Sequence, residues 1–331
     1  MANVLVTGGA GFIGSNFIRH WSSVYPQDTI LNLDRLTYAA SRVNQDFKNS
    51  RIRFVKGDIG NRRTVSALMK KVDTVFHFAA ETHVDRSIHD SQIFLKTNVL
   101  GTQNLLESAR QEKVKKFIYI STDEVYGSIE KGSFKETSPL APNSPYAASK
   151  AAGDLLCRSY WVTHKMPVII TRCCNNFGPF QFPEKVVPLF ITNLLEHKKI
   201  PVYGRGQNVR EWIHVLDHCR AIQRVFERGQ IGEVYNIGSG VETQNIALAK
   251  KLIRILEQSD ASIQYVQDRP GHDLRYSLDS SKIRQLGWKP EKSFDESLKE
   301  TVRWYQDYPS WWQKIRTRTA YRKYIKKQYT H

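Results

Sequence analysis

TGGAGFIG, residues 7–14, follows the apolar run NVLV (3–6) and leads into GSNFIRHWSSVY (14–25), where apolar residues recur at helical spacing. A strand, a glycine-rich turn and a helix in direct succession form the repeating unit of a parallel sheet. Gly8, Gly11 and Gly14 stand three residues apart. Glycines there let the backbone turn tightly and approach a pyrophosphate at the helix N-terminus, where free N–H groups and the helix dipole favour negative charge. The next apolar run, TILNLD (29–34), ends on Asp34, twenty residues after Gly14. That is the expected reach of an acid that accepts hydrogen bonds from adenosine ribose hydroxyls. Together these residues predict a dinucleotide site. Asp34 favours NAD, because a 2′-phosphate would meet its charge; the neighbouring Arg35 is the local cation that would accommodate NADP.

Outward from this turn, strand and helix patterns alternate. IRFVKGDI (52–59), TVFHFAA (74–80), KFIYIST (116–122) and PVIITR (167–172) are short β-branched or aromatic runs, with the helical stretches RRTVSALMKKV (62–72) and NVLGTQNLLESARQ (98–111) between them. The pattern predicts an α/β fold, a doubly wound parallel sheet with helices on both faces. Gly57 to Ile59 would flank the adenine, and Phe78 to Ala80 would let the cofactor lie close over the fourth strand end. From about residue 175 the order changes to VVPLFITNLLEHKK (186–199), PVYG (201–204), REWIHV (210–215), EVYNIGSG (233–240) and IALAKKLIRILEQ (246–258). This reads as a smaller α/β domain interleaved with the last strands of the sheet. The expected division is residues 1–170 for the dinucleotide domain, completed by segments from about 210–240, then 171–310 for the smaller domain and 311–331 for a tail.

Composition narrows the class. Of 331 residues, 40% are hydrophobic and 24% charged, as in an ordinary globular protein. No run of apolar residues is long enough to span a bilayer, and MANVLVTGG enters a strand at once, so neither membrane nor secretion is expected. Cys157, Cys173, Cys174 and Cys219 lack metal-ligand spacing, so no metal is expected; the vicinal pair in an apolar strand reads as two small hydrophobes, and a cytoplasmic location follows most simply. The net charge of +17 raises nucleic-acid binding. Between Trp311 and His331, Lys314, Arg316, Arg318, Arg322, Lys323, Lys326 and Lys327 stand without a single acid. This tail is expected to be solvated and partly helical. The rest of the excess suits steering of dianionic ligands.

Two further stretches carry chemistry. NSPYAASK (143–150) supplies an N-cap, Ser144, and a first helical residue, Pro145, so that Tyr146 and Lys150 at i, i+4 share one helix face. A phenol with a pKa near 10 is a poor base, and a nearby ammonium together with a positive nicotinamide favours its phenolate. TDEVYG (122–127) places a hydroxyl and two carboxylates at the end of a buried strand.

Taken together, TGGAGFIG, Asp34, GDI, Thr122 and YAASK resemble the extended short-chain dehydrogenase/reductase family, Rossmann-type enzymes of nucleotide sugars. STDEVYG (121–127), NNFGPFQFPEKVVP (175–188) and DRPGHDLRY (268–276) resemble, more narrowly, the dTDP-glucose 4,6-dehydratases. The resemblance extends to about residue 308. It implies a Rossmann NAD domain, a smaller nucleotide-sugar-binding domain, dTDP-glucose as substrate and a homodimer. Dehydration across C5 and C6 of glucose is hard until C4 is a ketone, which makes the C5 proton acidic. The resemblance implies that Tyr146 takes the C4 hydroxyl proton as hydride goes to NAD, with Thr122 holding the hydroxyl and Lys150 tuning the tyrosine. Glu124 then removes the C5 proton, Asp123 protonates the leaving C6 hydroxyl, and hydride returns to C6. Repulsion between adjacent carboxylates helps to keep one protonated and the other a base.

The cofactor residues it implies are Gly8, Gly11, Phe12, Ile13, Gly14, Asp34, Arg35, Thr37, Asp58, Ile59, Phe78, Ala79, Ala80, Thr97, Tyr146, Lys150 and Asn176. On the substrate side it implies Glu81, Thr82, Thr122 and Asn175 near the sugar and Lys185 with Val186 on the following helix. Pro201, Tyr203, Arg210, Asn245, Arg269 and His272 are implied around the nucleotide and diphosphate. The chain departs from the family pattern at LTYAASRVNQ (36–45), on the adenosine edge, and in its basic tail. A UDP-glucose 4,6-dehydratase would share every catalytic residue. A 4-epimerase has no use for the acid and base at 123 and 124, and a nucleic-acid-binding module has no need of residues 122 to 150.

Overall fold

The apolar run that opens the sequence is an interior strand: Val4, Leu5 and Val6 have no exposed surface, as a parallel strand covered by helices on both faces requires. The computed structural model describes residues 1–45, 47 and 49–329. Its strands are β1 (Asn3–Thr7), β2 (Thr29–Asp34), β3 (Ile52–Lys56), β4 (Thr74–His77), β5 (Lys116–Thr122), β6 (Val168–Cys173), β7 (Asn175–Phe177), β8 (Ile200–Tyr203), β9 (Val209–His214), β10 (Val234–Ile237), β11 (Glu242–Gln244) and β12 (Ile263–Val266). Seven form one sheet in the order β10-β6-β5-β4-β1-β2-β3, and every adjacent pair is parallel. Strand order reverses between β1 and β4, so the crevice beyond their carboxyl ends is the ligand position of a doubly wound sheet.

Helices Phe12–Val24 and Val215–Arg228 cover one face. There Phe17, Trp21 and Phe76 form an aromatic cluster with ring centroids 5.4, 4.6 and 4.8 Å apart. Truncating one such ring to alanine costs about 3–5 kcal/mol, so this cluster locks the glycine-turn helix onto β4. Helices Arg62–Met69, Thr102–Gln111 and Pro145–His164 cover the other face, through residues such as Leu68, Leu105 and Cys157.

After β6 the chain leaves the sheet and builds a second core around Phe190, Trp212, Leu252 and Tyr305. A three-stranded sheet, β11-β9-β7, and the pair β12-β8 support it, with helices Val186–Leu195, Asn245–Ile255 and Phe294–Asp307 packed around them. β10 returns to the main sheet beside β6, so the second core is inserted in the path of the first.

The expectation of a solvated, partly helical tail holds for its helices and its charges and fails for its apolar residues. Pro309–Arg316 and Thr319–Tyr329 are helices that bury Trp312, Ile315, Tyr321 and Tyr324, while Lys314, Arg318, Arg322, Lys323, Lys326 and Lys327 remain exposed. The charges fall on the outer faces of amphipathic helices, and two apolar pairs three residues apart, Trp312 with Ile315 and Tyr321 with Tyr324, anchor the inner ones. Among the described residues no helix is long and apolar enough to cross a membrane, no group of side chains could hold a metal, and all four cysteines are buried and free.

Candidate functional site

The glycine turn lies where β1 meets the crevice. Gly8 has φ +76°, and a Cβ there would stand 2.6 Å from Ala79 N; one on Gly14 would overlap Gly8 O. The space that side chains would fill is left to a ligand and to close helix–strand packing. Asp34, 8% exposed, accepts the Ala10 N–H at 2.9 Å on Oδ2 and the Leu36 N–H at 2.7 Å on Oδ1. Burial pushes its pKa up, and these two backbone donors oppose the rise. Arg35 pairs with Asp58 at 3.1 Å across an exposed surface bridge at the rim of the same cleft. A cradle closed to side chains beside an acid at ribose distance fits NAD.

One continuous cleft runs from this turn to the end of β5. It is lined by all the sequence-predicted cofactor residues, Gly8, Gly11, Phe12, Ile13, Gly14, Asp34, Arg35, Thr37, Asp58, Ile59, Phe78, Ala79, Ala80, Thr97, Tyr146, Lys150 and Asn176, together with Thr122, Asp123 and Glu124. Thr97 comes from a π-helical segment, Leu95–Gly101, an irregularity frequent at functional sites. Its neighbour Asn98 receives the Glu81 N–H at 2.8 Å and donates to Ser149 Oγ at 2.8 Å, tying that segment to the helix that carries Tyr146.

That helix starts where Ser144 Oγ accepts the Ala147 N–H at 3.1 Å, with Pro145 in its first turn. At the end of β5, Thr122 Oγ1 accepts the Glu124 N–H at 3.3 Å and caps a short 3₁₀ turn, Asp123–Tyr126. This cap presents both carboxylates to the cleft. Burial drives the Asp123 pKa well up, and Glu124 and Cys173 add to the effect. Burial also raises Glu124, though less far, because Arg269, Lys185 and Arg210 offset part of the rise. Two adjacent carboxyls are thus pushed apart, toward an acid and a base.

Burial, then Glu124, raises the Tyr146 phenol, against a hydrogen bond with Thr122. Lys150 is depressed to about 8, chiefly by burial. Its ammonium donates to Ile120 O at 2.7 Å and lies 4.2 Å from the centre of the Tyr119 ring. The ammonium is therefore anchored on the end of β5, on the same helix as Tyr146 and in the lining of the same cleft.

Sequence reading missed Cys173 and His218, which meet the expected Asn176 in the cleft. Asn176 Nδ2 donates to Cys173 Sγ at 3.1 Å and Cys174 O at 3.0 Å, which orients its Oδ1 to accept from His218 Nδ1 at 2.9 Å. His218 Nε2 is then buried without a partner. Burial raises the Cys173 pKa, but hydrogen bonds with Cys174, His218 and Asn176 outweigh it and hold the thiol low. Cys173 thus packs in the hydrophobic core, as its strand suggested, and also borders the cleft with its thiol hydrogen-bonded.

On the substrate side, Glu81, Thr82, Asn175 and Lys185 line the same cleft, and Lys185 Nζ donates to Thr82 O at 2.8 Å. Val186, Pro201, Tyr203, Arg210, Asn245, Arg269 and His272 lie outside that lining. Three of them meet around Asp85: Arg269 Nη1 stands 2.9 Å from Asp85 Oδ1, Tyr203 OH 3.1 Å from Oδ2, and the His272 ring packs edge-on against Tyr203. Burial, then Arg269 and Arg210, hold the His272 pKa down at about 4. Arg210 donates to the carbonyls of Val209 and Asp273 at 2.7 and 2.9 Å. Asn245 opens its helix with Oδ1 buried and unpartnered, while Val186 starts the helix after Lys185 and Pro201 sits in β8 opposite Gln264.

The family model for GDP-mannose 4,6 dehydratase matches residues 5–301. A dTDP-glucose 4,6-dehydratase of Streptomyces niveus is 49% identical over 325 residues, covering 95% of this chain and 96% of that one. The low-salt glycan biosynthesis protein Agl12 of Haloferax volcanii is 51% identical over 307 residues, covering 92% and 98%. Among solved structures, DesIV, a dTDP-glucose 4,6-dehydratase from Streptomyces venezuelae with NAD and TYD bound, superposes with a TM-score of 0.93 at 51% identity, covering 95% of this chain and 99% of that one. The chain belongs to the GDP-mannose 4,6-dehydratase family and, within it, to the dTDP-glucose 4,6-dehydratases.

Proposed function

We propose that the protein converts dTDP-glucose to dTDP-4-keto-6-deoxyglucose. The observation that carries this reading is the placement of Thr122, Asp123, Glu124 and Tyr146 on one wall of the cleft whose other end is the dinucleotide cradle. NAD, when bound, supplies the acceptor for hydride from C4 and the donor of hydride to C6. Tyr146 receives the C4 hydroxyl proton, and Thr122, in hydrogen-bonding reach of Tyr146, orients that hydroxyl. Glu124, its charge favoured by Lys185, Arg210 and Arg269, removes the C5 proton. Asp123, kept protonated by burial and by Glu124, gives its proton to the departing C6 hydroxyl. Arg210 and Arg269 offer planar forks for the diphosphate, and Tyr203 offers a ring face for the base.

An epimerase would need Tyr146 and Thr122 but no acid at 123 and no base at 124. The names of the relatives favour dTDP over UDP. Incubation with dTDP-glucose should give a 4-keto-6-deoxy sugar, seen by its absorbance in alkali, and UDP-glucose should give little. Absence of that chromophore with both sugars would refute the reading.

A homodimer is part of the same proposal. Leu95, Leu100, Leu155 and Val162 are 52, 62, 57 and 48% exposed on two helical segments that touch through Tyr160 and Glu107, and a second copy would cover them isologously. Leu100→Glu with Leu155→Glu should then halve the mass seen by light scattering. A reducing cytoplasm suits the four free thiols.

A further inference from the structure

We propose that the two C-terminal helices are the retaining strap of the cofactor, with Tyr324 and Trp311 as positioning residues. The inference rests on the dehydratase reading for its purpose. A reaction that returns its hydride leaves the cofactor in its starting state, so release is of no use to turnover.

The loop that follows Asp34 carries Tyr38 and Ala39 into the lining of the cleft. Two separate connections bind this loop to the tail. In the first, Trp311 Nε1 donates to Asn44 Oδ1 at 3.0 Å, and Asn44 Nδ2 donates to Ala10 O at 3.0 Å within the glycine turn. Ala10 N–H in turn holds Asp34. The tail thus reaches the ribose acid through a single buried side chain, Asn44.

In the second, the Arg86 guanidinium lies between two aromatic faces, 4.0 Å from the centre of Tyr38 and 4.1 Å from that of Tyr324. Glu184 accepts from Arg86 Nη2 at 2.7 Å and fixes the fork in that plane. The cation is half-shielded from water, where a ring face is worth more than at an exposed site. Tyr321 and Phe182 continue the contact, their rings 6.1 Å apart, and Phe182 packs edge-on against Tyr38 at 5.6 Å. Removing Tyr324 strips one face from Arg86 and loosens Tyr38, the residue on the cofactor side of the stack.

The test compares Tyr324→Ala, Tyr324→Phe and Trp311→Phe as NAD-loaded full-length proteins. Exchange of bound NAD against excess fluorescent etheno-NAD is followed without sugar, so that the outcome does not depend on which substrate the enzyme takes. Tyr324→Ala should release NAD about tenfold faster, while Tyr324→Phe, which keeps the ring, should match the parent. Trp311→Phe keeps an aromatic ring and loses the donor, and should release about threefold faster. With NAD saturating, kcat should stay within about twofold in all three. A folded Tyr324→Ala or Trp311→Phe with the parent's release rate would overturn the proposal, as would equal acceleration in Tyr324→Ala and Tyr324→Phe. If Tyr324→Ala does not fold, Trp311→Phe decides. Normal exchange defects in a protein that fails to dehydrate dTDP-glucose would leave the strap standing and remove only its stated purpose.

Discussion

Thr122 Oγ1 donates to Asp123 Oδ1 at 3.1 Å, while Asp123 Oδ2 is buried with no partner. That hydrogen bond favours the anion, but burial and then the charge of Glu124 outweigh it and favour the neutral acid. Asp123→Asn should therefore permit oxidation at C4 and some proton exchange at C5 but slow loss of water by about 10²-fold or more. Because burial raises the Asp123 pKa, the parent's elimination rate should fall as alkali deprotonates that acid, and the Asn variant should lack this limb. A stopped-flow pH series on both proteins checks it; parental elimination by the variant would remove Asp123 from the acid role.

Asp34 predicts the choice of cofactor. Both of its oxygens are fixed by backbone donors, so a 2′-phosphate meets a buried acid held in place. Titration calorimetry should show NAD binding about 100-fold tighter than NADP, and Asp34→Ser should narrow the gap by weakening NAD. Comparable affinities in the parent would be the contrary result.

Lys150 makes stability depend on pH in a stated direction. Its folded pKa is about 8 against an ordinary 10.5, owing to burial. Between those values the unfolded chain binds more protons than the folded one, so this group adds stability as pH rises from 8 to 10.5, and the full burial cost is present below 8. The difference in melting temperature between the cofactor-free parent and Lys150→Met should change across that window, with Met favoured most at pH 7. The same variant should lose turnover by about 10²-fold or more.

What was legible in the sequence lies at strand ends, within a few residues of a turn signal. The glycines at 8, 11 and 14, Asp34 at the close of β2, Thr122 to Glu124 at the close of β5 and the Ser144–Pro145 helix start all combine local geometry with local chemistry. Groups assembled by packing were not legible. Asn176 and His218 are brought together from β7 and the helix Val215–Arg228, and no periodicity marks the buried nitrogen that results. Tyr38, Arg86 and Tyr324 come from three distant segments. The docking of the basic tail was illegible for a related reason: a count of charges does not say which helix face carries them, and aromatic residues at 312, 321 and 324 bind the inner face. Arg35 was ambiguous because its partner, Asp58, comes from the turn after β3.

The most direct test of the mechanism is Glu124→Gln, loaded with NAD and mixed with dTDP-glucose in deuterated buffer. If Glu124 is the C5 base and Tyr146 serves C4, nicotinamide absorbance should rise and stall, with little deuterium at C5 and little 4-keto-6-deoxy product. Tyr146→Phe, run beside it, should show no rise at all. Turnover of Glu124→Gln at close to the parental rate, with normal deuterium entry at C5, would contradict the account.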